Sequence, residues 1–174
     1  MKFAEIKPFT ETGSYNVNVS ISHLKEWIDE QKEYGLKLNP DFQRGNVWTE
    51  QQQISYVEYF LRGGKSGRDI YFNDPSWRLP AETDYDEFVC VDGLQRLTAM
   101  LKFVTNELEV FGCYYKDFLD KPSVLLSFRI NVNDLQTKKE VLKWYLEMNS
   151  GGTPHSKEEL VRVEAMYKEE QNKN

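Results

Sequence analysis

The alternation of apolar and polar positions gives the first outline of the chain. Residues 15–21, YNVNVSI, alternate strictly, which places Tyr15, Val17, Val19 and Ile21 on one face of a strand. A helical stripe of Leu24, Trp27, Ile28 and Tyr34 follows, with Ser22 as its expected cap and Gly35 at its end. The segment LNPDFQRGNVW, broken by Pro40 and Gly45, reads as an irregular loop. Thr49 and Gln52 have the spacing of a capping box, which predicts a helix over residues 50–61 with Ile54, Val57 and Leu61 inside. RGGKSG reads as a turn, DIYFN as a short strand, and residues 74–86 as a turn-rich loop. EFVCV is a continuous apolar strand, and LQRLTAMLKFVTN a helix with Leu97, Met100, Leu101 and Val104 facing inward.

ELEVFG and SVLLSFRINV read as two further strands. Asn133 or Asp134 is the expected cap of a helix running to Met148, closed by Gly151 and Gly152. Ser156 and Glu159 form a second capping-box pattern at the start of the last helix, and the polar tail 166–174 is expected to fray. Strands and helices mix without strict βαβ alternation. The pattern therefore predicts a single α+β domain with a small mixed β-sheet and flanking helices.

Length and composition narrow this picture. A chain of 174 residues with 40% hydrophobic content has the material for one real core. A formal charge of −6 argues against a surface that coats nucleic acid, although 22 lysines and arginines leave room for a local basic patch. The two cysteines, Cys90 and Cys113, make no metal-ligand spacing, and Cys90 is expected to be a buried thiol. The start MKFAEIKPF has no apolar h-region, and no stretch approaches the ~18 apolar residues of a membrane span. The expectation is a soluble cytoplasmic chain without a membrane partner.

Candidate chemistry concentrates at the strand-to-helix junction EFVCVDGLQRLTAML. The first turn of a helix offers free N–H groups and the positive end of the dipole. Asp92 is placed to act as N-cap, Gly93 lets a ligand approach, and Gln95 and Arg96 stand on the first turn. Together they compose an anion site. The plainer reading is that Asp92 only caps and Arg96 makes a surface ion pair. Two further stretches carry related chemistry. NPDFQRGNVW supplies Gln43 and Arg44, and MNSGGTPHSKEEL supplies Asn149, Gly151 and Gly152, either as a nest of backbone N–H groups or as a simple helix end. GGKSG is not a P-loop, because Tyr59 stands where that pattern needs glycine, though Lys65 and Arg68 can still touch phosphate. Trp77, beside Arg78, is expected to pack its loop down rather than stack on a base.

Taken together, PDFQR-x-x-VW, VDGLQRLTAML and MNSGGTP-x-x-x-EEL resemble the DGQQR domain. This is the N-terminal domain family of GmrSD-type modification-dependent restriction enzymes, similar in fold to the ParB N-terminal domain and to sulfiredoxin. The resemblance spans residues 15–165. It implies nucleotide binding, and in several members hydrolysis, at a site made of Gln43, Arg44, Asp92, Gly93, Gln95, Arg96, Asn149, Gly151 and Gly152. It implies that Arg44 and Arg96 neutralise phosphate, that Asp92 caps the helix or meets a magnesium ion, and that Gln95 bonds a phosphate oxygen or orients a water. Asp92, Gln95 and Arg96 would then be the catalytic set.

Leu94 stands where the family usually has glutamine, which argues for weak turnover. It also occupies the position of the sulfiredoxin cysteine, which argues against that chemistry. With only His23 and His155, no H-N-H constellation exists for DNA cleavage, and no room for a C-terminal nuclease domain is expected. Three readings follow: a nucleoside-triphosphate-dependent regulator, a non-catalytic module that modulates a host restriction or defence protein, and a ParB-like DNA-binding module. The acidic balance weighs against the last.

Overall fold

The structure, a computed structural model, describes residues 1–6, 14–43, 45, 47–77, 81, 83–150 and 157–172. In chain order the elements are β1 (Tyr15–Ser20), α1 (Leu24–Glu33), α2 (Glu50–Leu61), β2 (Asp69–Asn73), β3 (Val89–Asp92), α3 (Leu94–Val104), β4 (Ser127–Asn133), α4 (Lys138–Ser150) and α5 (Lys157–Gln171). The fold is α+β, with four strands in the order β1-β4-β2-β3. β4 pairs antiparallel with β1 and parallel with β2, while β3 returns antiparallel to β2, so the sheet is mixed as the pattern predicts. Among the described residues no helix is long and apolar enough to cross a membrane.

Strand alternation sorts the sheet into two unlike faces. On one, Val19, Phe128, Ile130, Val132, Ile70, Phe72 and Cys90 pack with Leu24 and Ile28 of α1, Val57 and Phe60 of α2, and Leu97, Met100 and Phe103 of α3. On the other, Val89 and Val91 of β3 pack with Val141, Leu142, Trp144 and Tyr145 of α4, Val163 of α5 and Phe42. The β1–β4 half of this second face is polar and open: Asn16 lies opposite Asn131, and Asn18 opposite Arg129. The half-covered face is what positions the candidate site.

Several local expectations hold and others change. The Thr49–Gln52 capping box forms in both directions, at 3.3 and 2.8 Å. Gly35 leaves α1 at φ +94, the left-handed conformation a helix end needs. Ser22 is not the cap of α1; it belongs to a 3-10 turn, Ile21–His23, and its hydroxyl bonds Ser20 and His23. Tyr34 lies beyond the last turn of α1 and is exposed. Leu101 and Val104 are half-buried at the rim of α3, and Leu94, Ala99 and Phe103 take inner positions. ELEVFG forms no strand. Phe111 and Gly112 both adopt positive φ, +54 and +71, and reverse the chain tightly between Val110 and Cys113.

The helix α4 begins later than Asn133 or Asp134. Asn133 is still paired in β4, and Thr137 with Glu140 forms the capping box instead. Buried Asn73 anchors this approach, donating to the Leu135 carbonyl at 3.0 Å and accepting from the Leu135 N–H at 2.8 Å. The predicted Ser156–Glu159 box involves a residue outside those described.

Leu97 is fully buried under the sheet whereas Leu119 is fully exposed. Leu97→Ala is expected to cost about 2–5 kcal/mol in urea-denaturation stability, and Leu119→Ala less than about 0.5 kcal/mol.

Candidate functional site

The junction between β3 and α3 is shaped by an irregularity in strand pairing. Phe72 lies opposite Cys90, but Tyr71 lies opposite Asp92, so Val91 is an extra residue in β3. Such a bulge re-aims the side chain that follows it. Strict alternation would send Asp92 to the face of Cys90, beneath the helices. Opposite Tyr71 it points instead to the second face of the sheet, where Tyr71 meets Trp144 edge-on at 6.1 Å. Asp92 is therefore not the N-cap of α3. Gly93 takes that position at φ +102, and among the described residues no side chain caps the helix. A Cβ at Gly93 would sit 2.4 Å from Cδ1 of Ile70, so the tight turn depends on both the backbone freedom and the missing side chain of glycine.

Arg96, one turn into α3, reaches back to Asp92 at 2.5 Å. The pair is partly open to solvent, with the two side chains 23% and 32% exposed. Arg96 Nε is buried and has no hydrogen-bond partner among the described residues. The aliphatic part of Arg96 runs alongside Gly67, whose carbonyl accepts from the Tyr56 hydroxyl at 2.8 Å. Burial pushes the Tyr56 phenol up, against the opposing charge of Arg96, so it stays a neutral donor.

The same end of the sheet carries a second acid–guanidinium pair. Arg129 of β4 grips Asp69 of β2 through two nitrogens, one at 2.9 Å, and Asn131 adds a bond at 3.3 Å. The Arg129 hydrogen bond holds the Asp69 carboxyl below the usual carboxylate range, against some desolvation. Its stabilisation is present above the ordinary carboxylate pKa and fades as pH falls through the lowered value; at this mostly exposed position it is small. Burial raises the Tyr71 phenol first; the charges of Asp69 and Asp92 raise it further, and Arg129 and Arg96 oppose them. All four charges thus surround one phenol. Beside them, Lys65, Arg68, Asp69 and Arg129 line a groove of about 230 Å³ with Asn18 and Ser127. Arg68 is fixed there by the carbonyls of Gly64 and Leu125, at 2.6 and 2.8 Å. RGGKSG is a turn leading into β2, as its pattern predicts, and no P-loop helix follows its lysine.

The two glutamines do structural work. Gln95 accepts from the N–H groups of Val47 and Trp48, at 2.9 and 3.2 Å, and donates to the Gly45 carbonyl at 2.5 Å. Gln43 donates to the carbonyls of Cys90 and Val91, at 2.7 and 3.3 Å. The loop after Asp41 is thereby stitched to both sides of the junction. Arg162 of α5 holds it from outside through the Phe42 and Gln43 carbonyls, at 3.0 and 3.2 Å. Leu94 is buried in the core. Asn149 bonds the Tyr145 carbonyl of its own helix at 2.7 Å. Arg44, Gly151 and Gly152 lie outside the described residues.

The structure thus brings Gln43, Asp92, Gly93, Gln95 and Arg96 together. It adds Asp69, Tyr71, Arg129 and Asn131, which the sequence reading passed over. The only signal for them was the polar alternation of FRINVN and DIYFN. The segment from residue 24 to 125, which holds the loop and the junction, matches the model of the GmrSD restriction endonuclease N-terminal domain. The chain belongs to the GmrSD N-terminal domain family. That family suggests a restriction-system context, and the match stops short of MNSGGTP. No curated protein and no solved structure matches the chain significantly.

In Gln95→Ala the loop loses three bonds to α3. Hydrogen exchange is expected to speed up strongly at the Val47 and Trp48 amides while the interior amides of α3 stay protected. Equal loss of protection in both places would contradict this division of labour.

Proposed function

We propose that this end of the sheet binds a nucleoside triphosphate, and that the chain is a nucleotide-responsive regulatory module of a restriction or anti-restriction system. The observation that carries the reading is Arg96 beside a helix N-terminus that no described side chain caps, with its Nε unpartnered among the described residues and its Nη2 held by a bulge-aimed Asp92. A carboxylate occupies the place a phosphate oxygen would take. An incoming phosphate gains the helix dipole and the guanidinium, and Asp92 moves aside. Arg129, Lys65 and Arg68 extend the positive field along the groove.

Magnesium fits this site only as an ion that arrives with phosphate ligands of its own. Among the described residues no three His, Cys, Asp or Glu side chains converge as a metal site. Asp92 is the carboxylate such an ion would meet.

Two observations favour binding without rapid turnover. Leu94 is in the core and offers no group to a water, and Gln95 is spent on the loop. We therefore assign Gln95 and Gln43 as positioning residues, and Asp92 and Arg96 as the ligand-facing pair. Binding would then be read out by the loop that both glutamines hold, and from there by α5 through Arg162. The host restriction or defence protein on the receiving end is a partner this reading requires. A ParB-like grip on DNA is the lesser reading, since carboxylates accompany Arg96 and Arg129.

Thermal shift with ATP, GTP, CTP and UTP plus magnesium tests the proposal. At a ligand concentration near 100 times Kd, stabilisation is expected to be about 2.7 kcal/mol, and to vanish in Arg96→Ala. No shift with any nucleotide would leave the non-catalytic protein-interaction module as the reading to pursue.

A further inference from the structure

A second cavity lies at the opposite end of β2, where Asn73 gives way to Asp74, and so is separate from the Asp92–Arg96 site. Its volume is about 370 Å³. Four aromatic side chains from four segments line it: Tyr15 of β1, Tyr34 after α1, Trp77 after β2 and Phe88 before β3. Two carboxylates, Asp74 and Asp86, stand in the wall with Gln31, Gly35 and Ser76. The Tyr15 and Trp77 rings stand 4.6 Å apart at 59°, forming a corner rather than a flat stack. Trp77 Nε1 is buried with no hydrogen-bond partner among the described residues.

We infer that this cavity is a receptor for an organic cation, an ammonium or guanidinium group carried on an apolar stem. A cation that settles over an aromatic face is attracted by the negative quadrupole of the ring, and four rings within one cavity offer several such positions. Carboxylates add charge of the sign a cation requires. Among the described residues, no lysine or arginine pairs with Asp74 or Asp86. Asp74 uses Oδ1 on the N–H and hydroxyl of Ser76, at 3.0 and 3.2 Å. Burial, and secondarily the charge of Asp86, push its carboxyl up from the ordinary range, the condition that a cation relieves. The Tyr15 phenol is pushed up by burial and by Asp74, so it remains neutral beside them.

A bare metal ion does not suit these walls. The rings give it no ligands, and no three His, Cys, Asp or Glu side chains among the described residues form a metal cluster. A stemmed cation uses both features, its chain against the rings and its head against the acids. Either a lysine or arginine side chain of a partner or a free polyamine has this chemistry.

The test follows the Trp77 indole N–H resonance of ¹⁵N-labelled protein during titration with N-acetyl-arginine methylamide, the lysine equivalent and spermidine. The citrulline analogue is the neutral control. The cationic probes are expected to move that resonance, and citrulline to leave it in place. Asp74→Asn keeps an acceptor for Ser76 and is expected to weaken binding about tenfold, the size of one charge contact. Should that variant fail to fold, Asp86→Asn, at an exposed position, serves the same purpose. Preference for the capped amino acids over spermidine would support a partner side chain, and the reverse a polyamine. Equal binding of citrulline, or no movement with any probe at millimolar concentration, would overturn the inference. Nucleotide binding at Arg96 can succeed or fail independently of this result.

Discussion

One extra residue in β3 decides where the chemistry of this domain faces. Without the bulge at Val91, Asp92 would follow Cys90 beneath the helices, and its charge would have to be buried or neutralised. With it, Asp92 shares a face with Tyr71, Asp69 and Arg129, and Arg96 reaches round the sheet end to join them. The bulge also lets an apolar strand end in a charged residue without a gap in packing. Val89 and Val91 both remain in the α4 core.

That arrangement ties the site to the rest of the fold. The open half of the second face exists because α4 and α5 cover only the β3 side. The loop that borders the site is held by Gln95 from α3, by Gln43 on β3 and by Arg162 from α5. Any ligand that shifts Arg96 therefore pulls on the first turn of α3 and, through Gln95 next to it, on the loop. Coupling of this kind needs no large motion, only a change in which partner Arg96 prefers.

Much of the fold was legible because its signals are local. Strict alternation marked β1, a capping box marked α2, and the helical spacing of Leu97, Met100, Leu101 and Val104 marked α3. The failures also have local causes. A phenylalanine is not a turn residue, yet Phe111 adopts positive φ beside Gly112, so a predicted strand became a reversal. Nothing in VCVD announces a bulge, so Asp92 was expected to cap the helix. Amide chemistry was identified at Gln43 and Gln95, but sequence cannot distinguish a phosphate oxygen from a carbonyl supplied some 50 residues away. Asp69, Tyr71 and Arg129 were invisible for the same reason: only strand register brings them together. The family assignment rests on the segment that holds the loop and the junction, where the motifs are densest.

The most direct test of the account is a chemical-shift map of ¹⁵N-labelled protein titrated with magnesium nucleotides. The account predicts the largest changes at Asp92–Arg96, with Asp69, Tyr71 and Arg129 following, and smaller ones at Val47 and Trp48. Changes centred on α4 and α5 or on the aromatic cavity, with the junction unmoved, would contradict it.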